Sequence, residues 1–345
     1  MKNLKGVGSY DIAKRYLNFN IDFANSKITA FQAFVKDYVK LYDGNARLNA
    51  KISGPINKLS LDGQLILDDI FMKVEYLQTQ YRIKQAKINL NDNLVQIIPF
   101  SLQDAFGKTA EVSGQILHNN FSDLKYNINI DNFKSFQVLK TTQKDNELFY
   151  GNAFATGKFS MKGTSSDLSM YIDAKSEKGT KIMINPFGVS NETGEDYINF
   201  VSRDTLAVYT SKGRGVAFGV GVFMKLDVNP NAEIQLVFDA KSDDRIKAIG
   251  SGKLQLDYLP NGNFTMDGIY TLKEGEYRFS ALNVVAKKFD LKPGSKIKWS
   301  GDPLTGRLDI QGIYRLKTSI SEIVNMSKAP DPNVRLPVEC IINIR

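Results

Sequence analysis

Few residues in this sequence are equipped for chemistry, and those few stand apart from one another. There is one histidine and one cysteine in 345 residues. A lone imidazole removes most metal sites, nucleophile triads and imidazole acid–base pairs. His118 sits in the run QILHNN, at the end of a strand-like stretch, and reads as an ordinary strand or turn residue. Cys340 has no second cysteine to pair with, and inside the apolar run VECII it reads as a small hydrophobe. Carboxylates come in adjacent pairs at Asp68-Asp69, Glu195-Asp196 and Asp243-Asp244. Neighbours on a strand point to opposite faces, so these pairs do not converge on a substrate. The close glycines of GRGVAFG and GVGVF lack the spacing of a phosphate loop or a dinucleotide fingerprint. The sequence therefore reads as a non-enzyme, with no catalytic residue, no metal site and no cofactor.

What the sequence does have in quantity is alternating apolar side chains. Hydrophobic residues make up 42% and charged residues 24%, proportions of an ordinary folded protein. The formal charge is +8, spread along the chain without a basic arm or stripe. That balance suits a solvated strand face or an anionic lipid surface, and no nucleic-acid-binding module is present, so nucleic acid is not an expected partner. No apolar run is long enough for a transmembrane helix, and MKNLKGVGSY lacks the core of a signal peptide. Both ends run straight into strand-like sequence, which reads as a fragment of a longer protein whose membrane anchor lies outside these residues.

Taken in order, the chain opens with a strand carrying Leu17, Phe19, Ile21 and Phe23. Ile28, Phe31, Phe34, Val35, Tyr38, Val39 and Tyr42 follow at three- and four-residue spacing, which predicts an amphipathic helix of about four turns. It would pack on a sheet face, cap one end, or gate it. Period two then takes over. Leu48, Ala50 and Ile52 are followed by Leu59, Leu61, Gly63, Leu65 and Leu67, and the parity switches to Ile70, Met72 and Val74. The switch predicts a bulge or corner at Asp68-Asp69. Later strands carry Leu94, Ile98, Phe100 and Leu102, then Tyr126, Ile128 and Ile130, then Leu168, Met170 and Ile172. Leu236 and Phe238 precede Leu254, Leu256 and Tyr258. Residues 186–221 break this rhythm and predict an irregular excursion. Ser319 and Glu322 have capping-box spacing for a short helix ending near Met326.

The most regular stretch runs from Phe264 to Tyr314. Phe264, Met266, Gly268 and Tyr270 alternate, as do Leu308, Ile310, Gly312 and Tyr314, with the turn sequences KEG, KPG and SGDP between them. The pair Gly268/Tyr270 and Gly275/Tyr277/Phe279 is followed by Phe289, then Gly294, Ser295, Ile297, Trp299, Gly301, Asp302 and Pro303, then Leu308 and Ile310. In order and spacing this resembles the C-terminal domain of the TamB family, within the AsmA-like superfamily. The resemblance implies a bridge-like lipid carrier spanning a Gram-negative envelope, with a continuous hydrophobic groove and an Omp85-type outer-membrane barrel as partner. It implies a periplasmic location and an inner-membrane anchor in the full-length protein. The glycines themselves read as turn and close-packing positions, without a ligand role.

Some twenty strands at about 4.8 Å each would make a sheet on the order of 90–100 Å long. A flat sheet of that size exposes more apolar area than a soluble chain tolerates, so it must close, pack on itself, or curl. A sandwich, a barrel and a U-shaped trough all satisfy the pattern, and the family resemblance favours the trough, a β-taco. The expected architecture is thus all-β: a strand and helix over residues 1–45 at one end, then a curled antiparallel sheet over 46–345. Its groove would be lined by Leu61, Leu65, Leu67, Ile98, Phe100, Tyr126, Ile128, Ile130, Leu168, Met170, Ile172, Leu236, Phe238, Leu254, Leu256, Phe264, Met266, Leu308 and Ile310. Phospholipid acyl chains would be its cargo. The alternative function is a scaffold for assembling outer-membrane or autotransporter proteins with the barrel partner, docked by strand addition along Val338, Cys340 and Ile342.

Overall fold

A computed structural model describes residues 4–119, 122–147, 149–164, 166–185, 219–239, 244–281, 285–319 and 335–344. The first strands are β1 (Leu4–Asp11), β2 (Tyr16–Lys27), β3 (Val39–Pro55), β4 (Ser60–Val74) and β5 (Thr79–Asp92). Then come β6 (Leu94–Asp104), β7 (Thr109–Asn119), β8 (Ser122–Thr141), β9 (Phe149–Thr164), β10 (Leu168–Ser176) and β11 (Lys181–Ile184). The second half holds β12 (Val220–Val228), β13 (Glu233–Asp239), β14 (Asp244–Tyr258) and β15 (Phe264–Ala281). It ends with β16 (Val285–Leu291), β17 (Lys296–Gly301), β18 (Arg307–Thr318) and β19 (Leu336–Ile344). All belong to one 19-stranded sheet.

Consecutive strands pair as antiparallel hairpins from β1 to β9. Beyond β9, β10 and β11 lie end to end as one rung, and β12 and β13 make the next. These two rungs are parallel, the exception to an otherwise antiparallel sheet. A parallel joint needs a long return connection where a hairpin does not. The irregular stretch expected at 186–221 falls at this joint: residues 186–218 lie outside the described residues, and Val220 and Gly221 already belong to β12. β16 and β17 likewise share a rung against β15. With these pairs merged, the sheet has fewer rungs than strands and runs roughly 70 Å at about 4.8 Å per rung.

A crease crosses the sheet from β3 to β18. It passes through Gly44 (φ 121°), Asp69 (φ 51°), the register shift between Ile97 and Phe100, and Asn132 and Ser135 (φ 58° and 48°). It continues through the β10/β11 and β12/β13 gaps, the shift at Ile249/Gly250, and the β16/β17 gap at Lys292–Ser295. Bulges bend a strand and sharpen its twist, and aligned across so many strands they fold the sheet lengthwise into two arms. The corner expected at Asp68-Asp69 is one point on this line. Buried side chains gather along it in two cores. One holds Ala46, Ile70, Ile83, Leu102, Phe133 and Phe136 from β3 to β9; the other holds Ile246, Leu254, Tyr270, Leu272, Ile297 and Ile310 from β12 to β19.

The long helix expected over Ile28–Tyr42 is not formed. A single 3-10 turn at Ile28–Phe31 leads into α1 (Gln32–Val35), and the chain enters β3 at Val39. Val39, Leu41 and their neighbours fit period two as well as period 3.6, and the facing segment Phe71–Val74 of β4 offers a ladder. The Gln32 amide settles the choice: its Nε2 donates to the Val39 carbonyl at 2.9 Å and its Oε1 accepts from the Leu41 N–H at 2.7 Å. One side chain thus makes the two bonds a neighbouring strand would make, blunting the β3 edge where β2 has stopped. Ile28 is buried in the first core, and Phe31 meets Phe23 edge-on at 5.7 Å. The short helix expected at 319–326 lies outside the described residues beyond Ser319.

Tyr270 is one of several side chains with a buried polar atom out of balance, Asn18, Thr79, Asn127 and Thr141 being others. The Tyr270 hydroxyl has no hydrogen-bond partner among the described residues, and its ring lies over Gly250, where a Cβ would come within 2.9 Å of the ring carbon. Burial pushes its pKa up to about 12. A tyrosine in the unfolded chain ionises near pH 10, so the stability tied to this proton is whole below pH 10 and is lost as pH rises toward 12. Tyr270→Phe removes an unsatisfied polar atom and should stabilise the fold by about 1 kcal/mol. Urea unfolding at pH 7 reads that gain, and at pH 11 the margin over the parent should widen; a destabilised Phe variant would contradict this account.

Candidate functional site

The side chains of the apolar parity line up across the sheet into rows that run along its long axis. One row is traced by cross-strand partners from β2 to β15: Phe23, Leu48, Leu65, Ile88, Ile97, Gly114, Ile128, Met161, Met170, Val222, Tyr258 and Phe264. None is charged, and the row passes through the parallel joint between Met170 and Val222 without a break. At about 4.8 Å per rung it covers roughly 50 Å. A parallel row joins Phe100, Val112, Ile130, Phe159, Ile172, Met224, Leu256 and Met266. The neighbouring positions on the other face are Asn89, Gln96, Gln115, Asn127, Lys162 and Ser169, all polar.

Burial distinguishes the first row from the crease; the second row runs nearer to it and gives Val112 to the first core. Every residue of the first row keeps some exposure, and Phe264 is 38% exposed. A closed sandwich would bury this face, whereas here an apolar strip about 50 Å long meets solvent beside a filled crease. Ion pairs stay on the polar face, such as Lys288–Glu276 at 2.6 Å and Lys247–Glu233 at 3.2 Å. The Lys288 hydrogen bond holds Glu276 below the usual carboxylate range. Burial works to raise Glu233, but hydrogen bonds from Gln235, Lys247 and Lys181 outweigh it and hold it low. Among the described residues no three His, Cys, Asp or Glu side chains gather to hold a metal, and no helix is long and apolar enough to cross a membrane.

The second arm is fastened between β5 and β8, around the short β6–β7 hairpin. The Tyr81 hydroxyl donates to the Gln137 carbonyl at 3.0 Å, and the Tyr81 and Phe136 rings stack at 5.3 Å. The Gln137 N–H donates to Asp104 Oδ2 at 2.9 Å, and the Lys140 N–H reaches the Leu77 carbonyl at 2.9 Å. Burial pushes the Tyr81 pKa up to about 12. Three rungs of sheet are bridged at this point.

The sequence-derived lining residues divide by place. Leu65, Phe100, Ile128, Ile130, Met170, Ile172, Leu256, Phe264 and Met266 fall in the two rows, where Leu65, Phe100, Ile130, Leu256 and Met266 also pack against the cores; Tyr126 and Leu168 both stand opposite Gly163, beside the first row. Leu67 and Leu308 are partly buried against the cores, while Leu61, Leu254 and Ile310 are buried, Ile310 to 1%. Leu236 lies on the second arm in register with Ile184 and Ile246. Phe238 is in β13, its side chain outside the described atoms. The register seats Ile97, where Ile98 was expected; Ile98 and Pro99 fall unpaired in the shift between Ile97 and Phe100. Sequence reading missed Ile88, Val222 and Met224 as members of these rows. Val338, Cys340 and Ile342 lie on β19, which pairs with β18 alone among the described strands. Cys340 is exposed there.

The Gly and aromatic signature of the last third packs aromatic rings over glycines. Trp299 stands opposite Gly268 and over Gly306, where a Cβ would come within 2.6 Å of the indole nitrogen. Tyr277 stacks on Phe289 at 6.2 Å, and Phe289 meets Tyr314 at 5.8 Å. The sequence model of one family, the TamB C-terminal domain, matches residues 100–345. The chain belongs to the TamB family. Membership associates it with the biogenesis of the Gram-negative envelope. Comparison with curated proteins and with solved structures gave no match. The TamB match covers β7 to β19 completely and begins inside β6, so it includes most of both apolar rows.

Proposed function

We propose that this TamB-family chain carries phospholipid by its acyl chains along the apolar rows, between the inner and outer membranes of the envelope. The observation that carries the reading is the uncharged, partly exposed row from Phe23 to Phe264, continuous through the parallel joint. An acyl tail lying on it gains about 0.8 kcal/mol per buried methylene. Because Leu, Ile, Phe, Met and Val succeed one another, the energy changes little from rung to rung. Sliding along the strip is then easy while escape to water is hard. Head groups stay in water at the rim, and net direction comes from the partners or lipid gradients at the two ends. The working place is the periplasm, as part of a protein held in the inner membrane.

A second reading is favoured by β19. Its outer edge has no described partner, and Ile341 is 57% exposed there. An unpaired edge accepts a strand, which supports a scaffold working with an Omp85-type barrel in the assembly of outer-membrane proteins. Native mass spectrometry of the purified protein, followed by organic extraction, separates the two. Co-purifying phospholipid supports the groove. A folded, lipid-free chain that takes up no added phospholipid would overturn it and leave the edge as the working surface.

A further inference from the structure

The apolar rows change character where the two cores meet. Between the core of β3–β9 and that of β12–β19, strand β10 contributes no buried residue. At and beside this waist the lining is rich in methionine: Met161 and Met170 face each other across β9 and β10 in the first row, Met224 follows on β12 in the second, and Met266 lies two rungs further on, on β15, against the second core. All four keep partial exposure, and all four lie on the uncharged face. Met183 lies close by on β11 but on the opposite parity, between Tyr150 and Gln235. The leucines, isoleucines and phenylalanines elsewhere in the rows are inert to oxidants, whereas a solvent-reached thioether is not.

We infer that Met161, Met170, Met224 and Met266 form an oxidisable belt, modified by peroxide when the trough is empty and shielded when acyl chains fill it. In each event a thioether sulfur attacks one peroxide oxygen. An S–O bond forms as the O–O bond breaks, sulfur gives up two electrons, and the other oxygen leaves as water. The sulfoxide is polar and chiral where the thioether was apolar and pliant. Several of them across adjacent rungs interrupt the apolar strip midway, so that a tail can no longer pass or rest there. The change is reversible by a methionine sulfoxide reductase.

On the reading of the trough as a lipid groove, the test uses the purified chain, delipidated or loaded with dipalmitoyl phosphatidylglycerol, exposed to hydrogen peroxide. Peptide mass spectrometry reads each sulfoxide, and extraction reads retained lipid. The four belt methionines should oxidise several-fold faster in the empty protein, with Met183 oxidising equally in both. Lipid retention should fall at least about fivefold after oxidation, whereas peroxide should leave in place whatever lipid M161L/M170L/M224L/M266L, a volume-conserving change, has taken up. Equal oxidation rates with and without lipid, or unchanged retention with all four sulfoxides present, would overturn the belt. If circular dichroism shows the oxidised parent unfolding, M224Q supplies the polar group without oxidant, and unimpaired retention by that variant overturns it too. Failure of the untreated parent to take up lipid would instead strike at the groove itself, before any oxidant is added.

Discussion

Aspartate in place of Ile128 should leave the protein folded and strip it of phospholipid. Ile128 lies mid-row between Gly114 and Met161 and keeps partial exposure, so a carboxylate there still reaches water. The cost to the fold is then about 1–2 kcal/mol, the ordinary range for a substitution that opens no buried cavity. A lipid tail lying across the same position would have to dehydrate that carboxylate, at a penalty of several kcal/mol. That exceeds what a few neighbouring methylenes return at about 0.8 kcal/mol each. Extracted phospholipid should drop at least about tenfold while the thermal transition moves by a few degrees. Ile310→Asp is the contrast. Ile310 is 1% exposed in the second core, so its aspartate loses packing and buries an unpaired charge. That variant should fail to fold, which makes it useless as a probe of lipid passage although Ile310 follows the apolar alternation of its strand. Retention unchanged in a folded Ile128→Asp protein would rule out the first row as the lipid path.

Period two made most of these rows readable in advance. Leu65, Ile128, Met170 and Leu256 each sit in a run where parity holds over several residues, and a one-residue error would have moved every neighbour to the wrong face. Reading failed where parity is reset. Ile98 fits the spacing of Phe100 and Leu102, but the shift before Phe100 hands the row to Ile97. Strand β5 changes phase between Ile83 and Ala86, so Ile88 shares no single alternation with Tyr81. Bulge positions are set by neighbouring strands along the crease, information that no single strand contains. The parallel joint is more remote still: it depends on how the chain returns between Ile184 and Val220, and β12 opens with the glycine-spaced VGVF, which masks its alternation. The helix failed for a related reason. Val39–Tyr42 satisfies both periods, and the choice rests on the Gln32 amide and on a β4 partner about thirty residues away.

The largest loss of stability from a polar change should come at Asp104. This carboxylate is 5% exposed, and its Oδ1 accepts the N–H groups of Phe106 and Lys108 at 2.9 and 2.8 Å, while Oδ2 accepts the Gln137 N–H at 2.9 Å. One side chain therefore ties the β6–β7 hairpin to β8, beside the Tyr81 bond that ties β5 to the same residue. Asp104→Ala leaves those donors facing a methyl group. Each charge-assisted bond is worth about 1.5–3 kcal/mol, and the donors cannot all find water, so a net cost of about 3–5 kcal/mol is expected. Asp104→Asn keeps one acceptor oxygen and should lose about half as much. Urea unfolding measures the totals, and amide hydrogen exchange locates them: Gln137 and Lys140 should lose protection first, because the second arm opens between β5 and β8. The first apolar row lies on the other side of the crease from this bridge. Asp104→Ala should consequently retain phospholipid at temperatures below its lowered transition, which separates the arm that closes the trough from the row proposed to carry lipid. An Asp104→Ala protein within 1 kcal/mol of the parent would mean that the bridge is not what holds the second arm shut.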